Sequence, residues 1–125
     1  MSPSEEPAVH GPPLRRFKNP GYVEVAGSLG ELRARIDALD ERIVALLAQR
    51  AACVRDATRF KRDAFQVAAP ARQAQVFERV RTLALRHARA FPGFPGVVDS
   101  TYRAMVAGFV AGEGQLLRET EPIQP

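Results

Sequence analysis

Arg50 and Glu113 each stand where the surrounding spacing calls for an apolar residue. Arg50 continues an otherwise apolar helical seam, and Glu113 falls within the series Tyr102, Val106, Phe109, Glu113, Leu116. A charge buried without a partner is costly. Each must therefore be exposed, paired or used, and a structural Arg50–Glu113 pair answers as well as a binding site does. Lys61 favours a site. It follows Arg50 by 11 residues, about three full helical turns, so the two cations share a face about 16 Å apart. Arg33 precedes Arg50 by 17 residues, which is about 25 Å and a different face. One helix cannot bring Arg33 to the same small site, but a second, antiparallel copy can. Two arginines, a lysine and a buried carboxylic acid suit a small dianion, because a guanidinium holds a carboxylate through paired N–H donors.

The elements that must position these residues read as helices. Ser28-Leu29-Gly30-Glu31 is a capping box, in which the serine hydroxyl accepts from an early backbone N–H and the glutamate reaches back. From it the seam runs Leu29, Leu32, Ile36, Leu39, Ile43, Leu46, Arg50, Cys53, Ala57, Phe60, in alternating steps of 3 and 4. The spacing predicts one helix over about 28–63, roughly 50 Å long. A loop over about 64–69 follows. Pro70 suits the first turn of a second helix, with Val76, Val80, Leu83 and His87 on one stripe. Phe91-Pro92-Gly93-Phe94-Pro95-Gly96 is a break, and a third helix spans about 97–118. The expected fold is all-α, three helices with a long first one. The chain divides into an irregular Pro/Gly-rich arm (1–27) tacked down by Phe17 and Tyr22, a helical body (28–118) and a frayed tail (119–125). A helix of that length outruns a domain of this size, so its seam predicts a symmetric dimer.

Composition narrows the function. The chain has 125 residues, 46% of them hydrophobic, and a formal charge of +4. That is one soluble domain's worth of chain. The single cysteine, Cys53, rules out an internal disulfide or a multi-cysteine metal site, and reads as a small core hydrophobe. No apolar run reaches the roughly 20 residues of a membrane span. The N-terminus lacks a secretory pattern, so a cytoplasmic address is expected. Of the 18 basic residues 16 are arginine. Most of them, Arg55, Arg59, Arg62, Arg79, Arg81, Arg86 and Arg89 included, read as a solvated face. A basic helical dimer that binds nucleic acid is the rival from another class, but helix-turn-helix spacing, zinc ligands and a stacking set are missing. A catalytically inactive homologue acting as a binding module is a third possibility. His87 reads as a packed histidine rather than a base.

Leu32-Arg33-x-x-Ile36-Asp37-x-Leu39-Asp40, Leu46-Leu47-Ala48-x-Arg50, Arg59-Phe60-Lys61 and Pro70-x-Arg72 together resemble the all-helical (type II) chorismate mutases. The resemblance covers about residues 28–118. Arg59-Phe60-Lys61, Ala69-Pro70-x-Arg72 and Tyr102-Arg103-Ala104-Met105 look closest to the branch that contains isochorismate-pyruvate lyases. The resemblance implies an intertwined homodimer with two equivalent sites, no cofactor and no metal. It implies that Arg50 and the partner copy's Arg33 hold the substrate carboxylates. Lys61 and Glu113 would meet the ether oxygen, and Arg72 would open the second helix beside the site. Gln73 falls where many mutases carry a glutamate that binds the ring hydroxyl. The implied reaction is chorismate to prephenate, or isochorismate to salicylate and pyruvate. Both are pericyclic, and neither needs a nucleophile. Glutamic acid donates a hydrogen bond only when protonated, so activity is expected to rise towards mildly acidic pH.

Overall fold

The computed structural model describes residues 5–123, and every regular element in them is helical. Helix α1 spans Leu29–Ala57, α2 Ala64–Ala68, α3 Pro70–Leu85 and α4 Phe94–Leu117. Short 3-10 turns at Thr58–Phe60 and Ala88–Ala90 follow α1 and α3. The all-α class with a long first helix is as the spacing predicts. The chain forms two compact units, divided between Ala48 and Gln49.

In the first unit the capping box starts α1. Glu31 N donates to Ser28 Oγ at 3.2 Å. Glu31 Oε2 accepts from Gly27 N at 3.2 Å, one residue further back than the usual reciprocal bond. The arm is tied down differently from the expectation. Phe17 and Tyr22 are exposed and pair with each other, ring centroids 4.5 Å apart. The tie is Gly30 N donating to Val9 O at 3.0 Å. A Cβ on Gly30 would lie 2.8 Å from Val9 Cγ1, so only glycine lets the arm approach this closely. Beyond Leu32 the seam is uncovered, with Ile36, Leu39, Ile43 and Leu46 between 50% and 60% exposed.

In the second unit α4 packs against α3 and α2. Val67, Val80, Ala84 and Val106 form the buried apolar centre, and Thr58 and Glu113 are buried with them. The α4 face holds as spaced: Val106 and Glu113 are buried and Tyr102, Phe109 and Leu116 half-buried. Three boundaries differ from the sequence expectation. The first helix stops at Ala57 rather than about 63, and the residues after its 3-10 turn leave the helical path, with Lys61 extended at φ −112°, ψ 134°. The expected loop at 64–69 contains a helical turn, α2. Asp63 caps it by accepting from Gln66 N at 3.0 Å, a local bond that a search for helical periodicity over longer windows does not register. The third helix begins at Phe94, because Gly93 takes a left-handed φ of 72° and Pro95 fits the first turn. On α3 the buried stripe is Val80 and Ala84, with Leu83 turned outward, and His87 lies past the helix end and is exposed.

Asp63 carries a testable consequence. The Gln66 backbone N–H, and then the Arg62 guanidinium, hold its carboxyl below the usual 3.8. A depressed carboxyl contributes stability at pH above its unfolded value, and that contribution is lost as pH falls through the folded value. Thermal melts are expected to show an acid-side loss in the parent that is smaller in Asp63→Asn, since asparagine still caps but does not titrate.

Candidate active site

Arg50, Lys61, Arg72, Gln73 and Glu113 line one cavity of about 500 Å³, wholly within the second unit. Its apolar wall includes Val54, Val67, Val76, Val106 and Phe109. Each polar residue has a local reason for its place. Glu113 sits on the buried face of α4 and is 5% exposed. The 3-10 turn carries Lys61 off the end of α1, so that its ammonium meets that carboxylate. Lys61 Nζ lies 2.7 Å from Glu113 Oε2 and 3.0 Å from Oε1. The ion pair expected as one possibility between Arg50 and Glu113 is thus made by Lys61 instead. Lys61 shares the cavity with Arg50 by leaving the helix, not by staying on its face.

Thr58 completes the pair from behind. Its Oγ1 is 3.2 Å from Glu113 Oε2 and 3.3 Å from Val54 O. Sequence reading passed over Thr58. The only signal was a hydroxyl beside the seam, three residues before Lys61, and its partner is 55 positions away.

Arg50 stands over aromatic faces. Its guanidinium carbon lies 5.5 Å from the Phe109 ring centroid and 6.0 Å from that of Tyr102. No ion pair holds it among the described residues. Arg72 is exposed at the start of α3, 3.5 Å from Gln75 Oε1. Gln73 turns its amide nitrogen onto the Ala68 carbonyl, closing the end of α2, so its amide oxygen remains as an acceptor. Between them Ala69 adopts a left-handed φ of 43°, a conformation that costs an L-residue roughly 1–2 kcal/mol and sets the turn that presents Arg72 and Gln73. Cys53 is exposed and lines the cavity rather than filling a core. Arg33 is exposed on α1 in the first unit and is not among the lining residues.

The second unit is thus a helical body with a cationic, apolar-walled cavity and a buried lysine–glutamate pair. The sequence model of the family described as chorismate mutase type II matches residues 32–113, and the chain belongs to that family. No curated protein and no solved structure matches the chain. Membership supports a chorismate mutase-type function on a small substrate. Among the described residues no helix is long and apolar enough to cross a membrane.

Proposed function

We propose that the protein is a cytoplasmic chorismate mutase that converts chorismate to prephenate. The observation that carries this reading is the convergence of Arg50, Lys61, Arg72 and Glu113 on one apolar-walled cavity in a chain of this family. Chorismate presents two carboxylates, an ether oxygen and an apolar ring edge, and the lining together with the partner copy's Arg33 would offer a counterpart to each. Arg50 grips one carboxylate, and the partner copy's Arg33 grips the other. With the enolpyruvyl arm held over the ring, conformational freedom is surrendered before the chemical step. Lys61 has three N–H donors, and the two Glu113 oxygens occupy at most two. The remaining donor serves the ether oxygen as the C–O bond breaks and charge develops there. Glu113, when protonated, is the second donor. The rearrangement moves electrons around one ring, so it calls on no nucleophile and no cofactor.

Isochorismate-pyruvate lyase activity is the second reading. Gln73 favours it, since an amide bonded to the Ala68 carbonyl gives a ring hydroxyl one acceptor where a glutamate would give a charged one. Purified protein incubated separately with chorismate and isochorismate is expected to yield prephenate from the first. Salicylate and pyruvate from the second would assign the lyase, and no product from either would overturn the enzyme.

The reading includes a homodimer, which the uncovered α1 seam supports. Apolar residues at this spacing and exposure are stabilised by pairing with a second copy. Arg33→Ala and Arg50→Ala, each inactive alone, are expected to recover about a quarter of the parent's sites when unfolded together and refolded. Random pairing makes half the dimers mixed, and one of the two sites in each mixed dimer is then whole. No recovery on mixing would exclude a shared site.

A further inference from the structure

We infer that Thr58 is a positioning residue that assigns the two carboxyl oxygens of Glu113 different tasks, reserving Oε1 to carry the proton that faces the cavity. The inference rests on the proposed function for its catalytic meaning, and its geometry stands apart from it.

Thr58 is 2% exposed, and its hydroxyl has two acceptors in reach, Glu113 Oε2 at 3.2 Å and Val54 O at 3.3 Å. A hydroxyl has one proton, so it serves one acceptor at a time. When it donates to Oε2, that oxygen holds bonds from both Thr58 and Lys61. A proton arriving on the carboxyl then goes to Oε1, which has Lys61 alone at 3.0 Å. When the hydroxyl turns to Val54 O instead, its lone pair accepts from a proton on Oε2. That proton points away from the substrate and is useless to an ether oxygen. Thr58 thus governs whether a protonated Glu113 donates inward or backward.

Charged and titratable groups that line the cavity with Glu113 are Arg50 and Cys53 from α1, Lys61 beyond the 3-10 turn and Arg72 from α3, and on the Thr58 side Arg55, Asp56, Arg59 and Glu119 line a separate pocket with Thr58. Thr58 is the neutral partner behind it, so it can set the oxygen without changing the charge.

The test uses Thr58→Val, which keeps the shape and removes the hydroxyl, and Thr58→Ser, which restores it. Should the valine variant not fold, Thr58→Ala replaces it. In the acid limb of the profile, turnover of chorismate by Thr58→Val is expected to fall about twofold or more in kcat with KM nearly unchanged, because nothing then keeps the proton on Oε1 rather than Oε2. Its pH–rate profile is expected to move towards higher pH, because the carboxylate has lost a donor that favours its charged form. Thr58→Ser is expected to return both to the parent's values. Carbon-13 NMR of the Glu113 carboxyl reads the same displacement without any substrate. An unchanged carboxyl titration in Thr58→Val would overturn the inference. Absence of product in the parent would overturn the proposed function alone, and the NMR arm would still decide the role of Thr58.

Discussion

Lys61→Ala is expected to lower kcat/KM for chorismate by about 10²–10³, the usual cost of deleting one donor aimed at developing charge. The same substitution also strands Glu113. The carboxylate is 5% exposed and would keep only Thr58 as a close partner. Breaking a buried pair from one side costs about 3–5 kcal/mol, somewhat less here because the Lys61 side chain is 21% exposed. Activity and stability should therefore fall together, and lost activity alone would not show what Lys61 does. The double variant Lys61→Ala, Glu113→Gln separates the two. Removing the orphaned charge is expected to recover most of the melting temperature while turnover stays low. If turnover returned with stability, Lys61 would be a structural cation and no part of the chemistry.

Arg50→Ala is expected to match Lys61→Ala in lost activity while costing little stability. Its guanidinium rests near Phe109 and Tyr102 at 5.5 and 6.0 Å, contacts worth about 0.5–1 kcal/mol each when exposed. Among the described residues no buried acid depends on it. Melting should shift by a few degrees, whereas loss of a paired carboxylate grip should cost about 10²-fold or more in kcat/KM. Arg50→Lys keeps the charge without the planar fork and is expected to recover only part of that loss. A folded, fully active Arg50→Ala would remove the residue from the site.

Much of this was legible in the chain before any coordinates. The capping box at Ser28 and the α4 face from Tyr102 to Leu116 depend on local spacing, and local spacing is what a sequence displays. The seam of α1 was equally plain, and its exposure beyond Leu32 is consistent with that regularity. What escaped depends on partners distant in the chain. Periodicity carries the first helix to about residue 63 because Ala57 and Phe60 continue the seam. The helix gives way to a 3-10 turn where Thr58 and Lys61 meet Glu113, over 50 positions away. Spacing leaves an Arg50–Glu113 pair open as one alternative to a site, whereas the carboxylate is met by Lys61 and Arg50 lies near the aromatic rings. The turn at Asp63 and Ala69 rests on a single cap and a single left-handed residue, features too short to create a period.

The cavity also keeps a charge account with its ligand. Arg50, Lys61 and Arg72 bring three positive charges, the partner copy's Arg33 would add a fourth, and Glu113 removes at most one, so the site carries a net excess of positive charge. A substrate with two carboxylates answers more of that excess than one with a single carboxylate, which leaves a further cation unanswered in an apolar-walled space. Selection by valence follows. An ester or amide of the same ring skeleton should be discriminated against more sharply than a dianion with an altered ring, and small divalent anions should compete with substrate more effectively than monovalent anions at equal ionic strength.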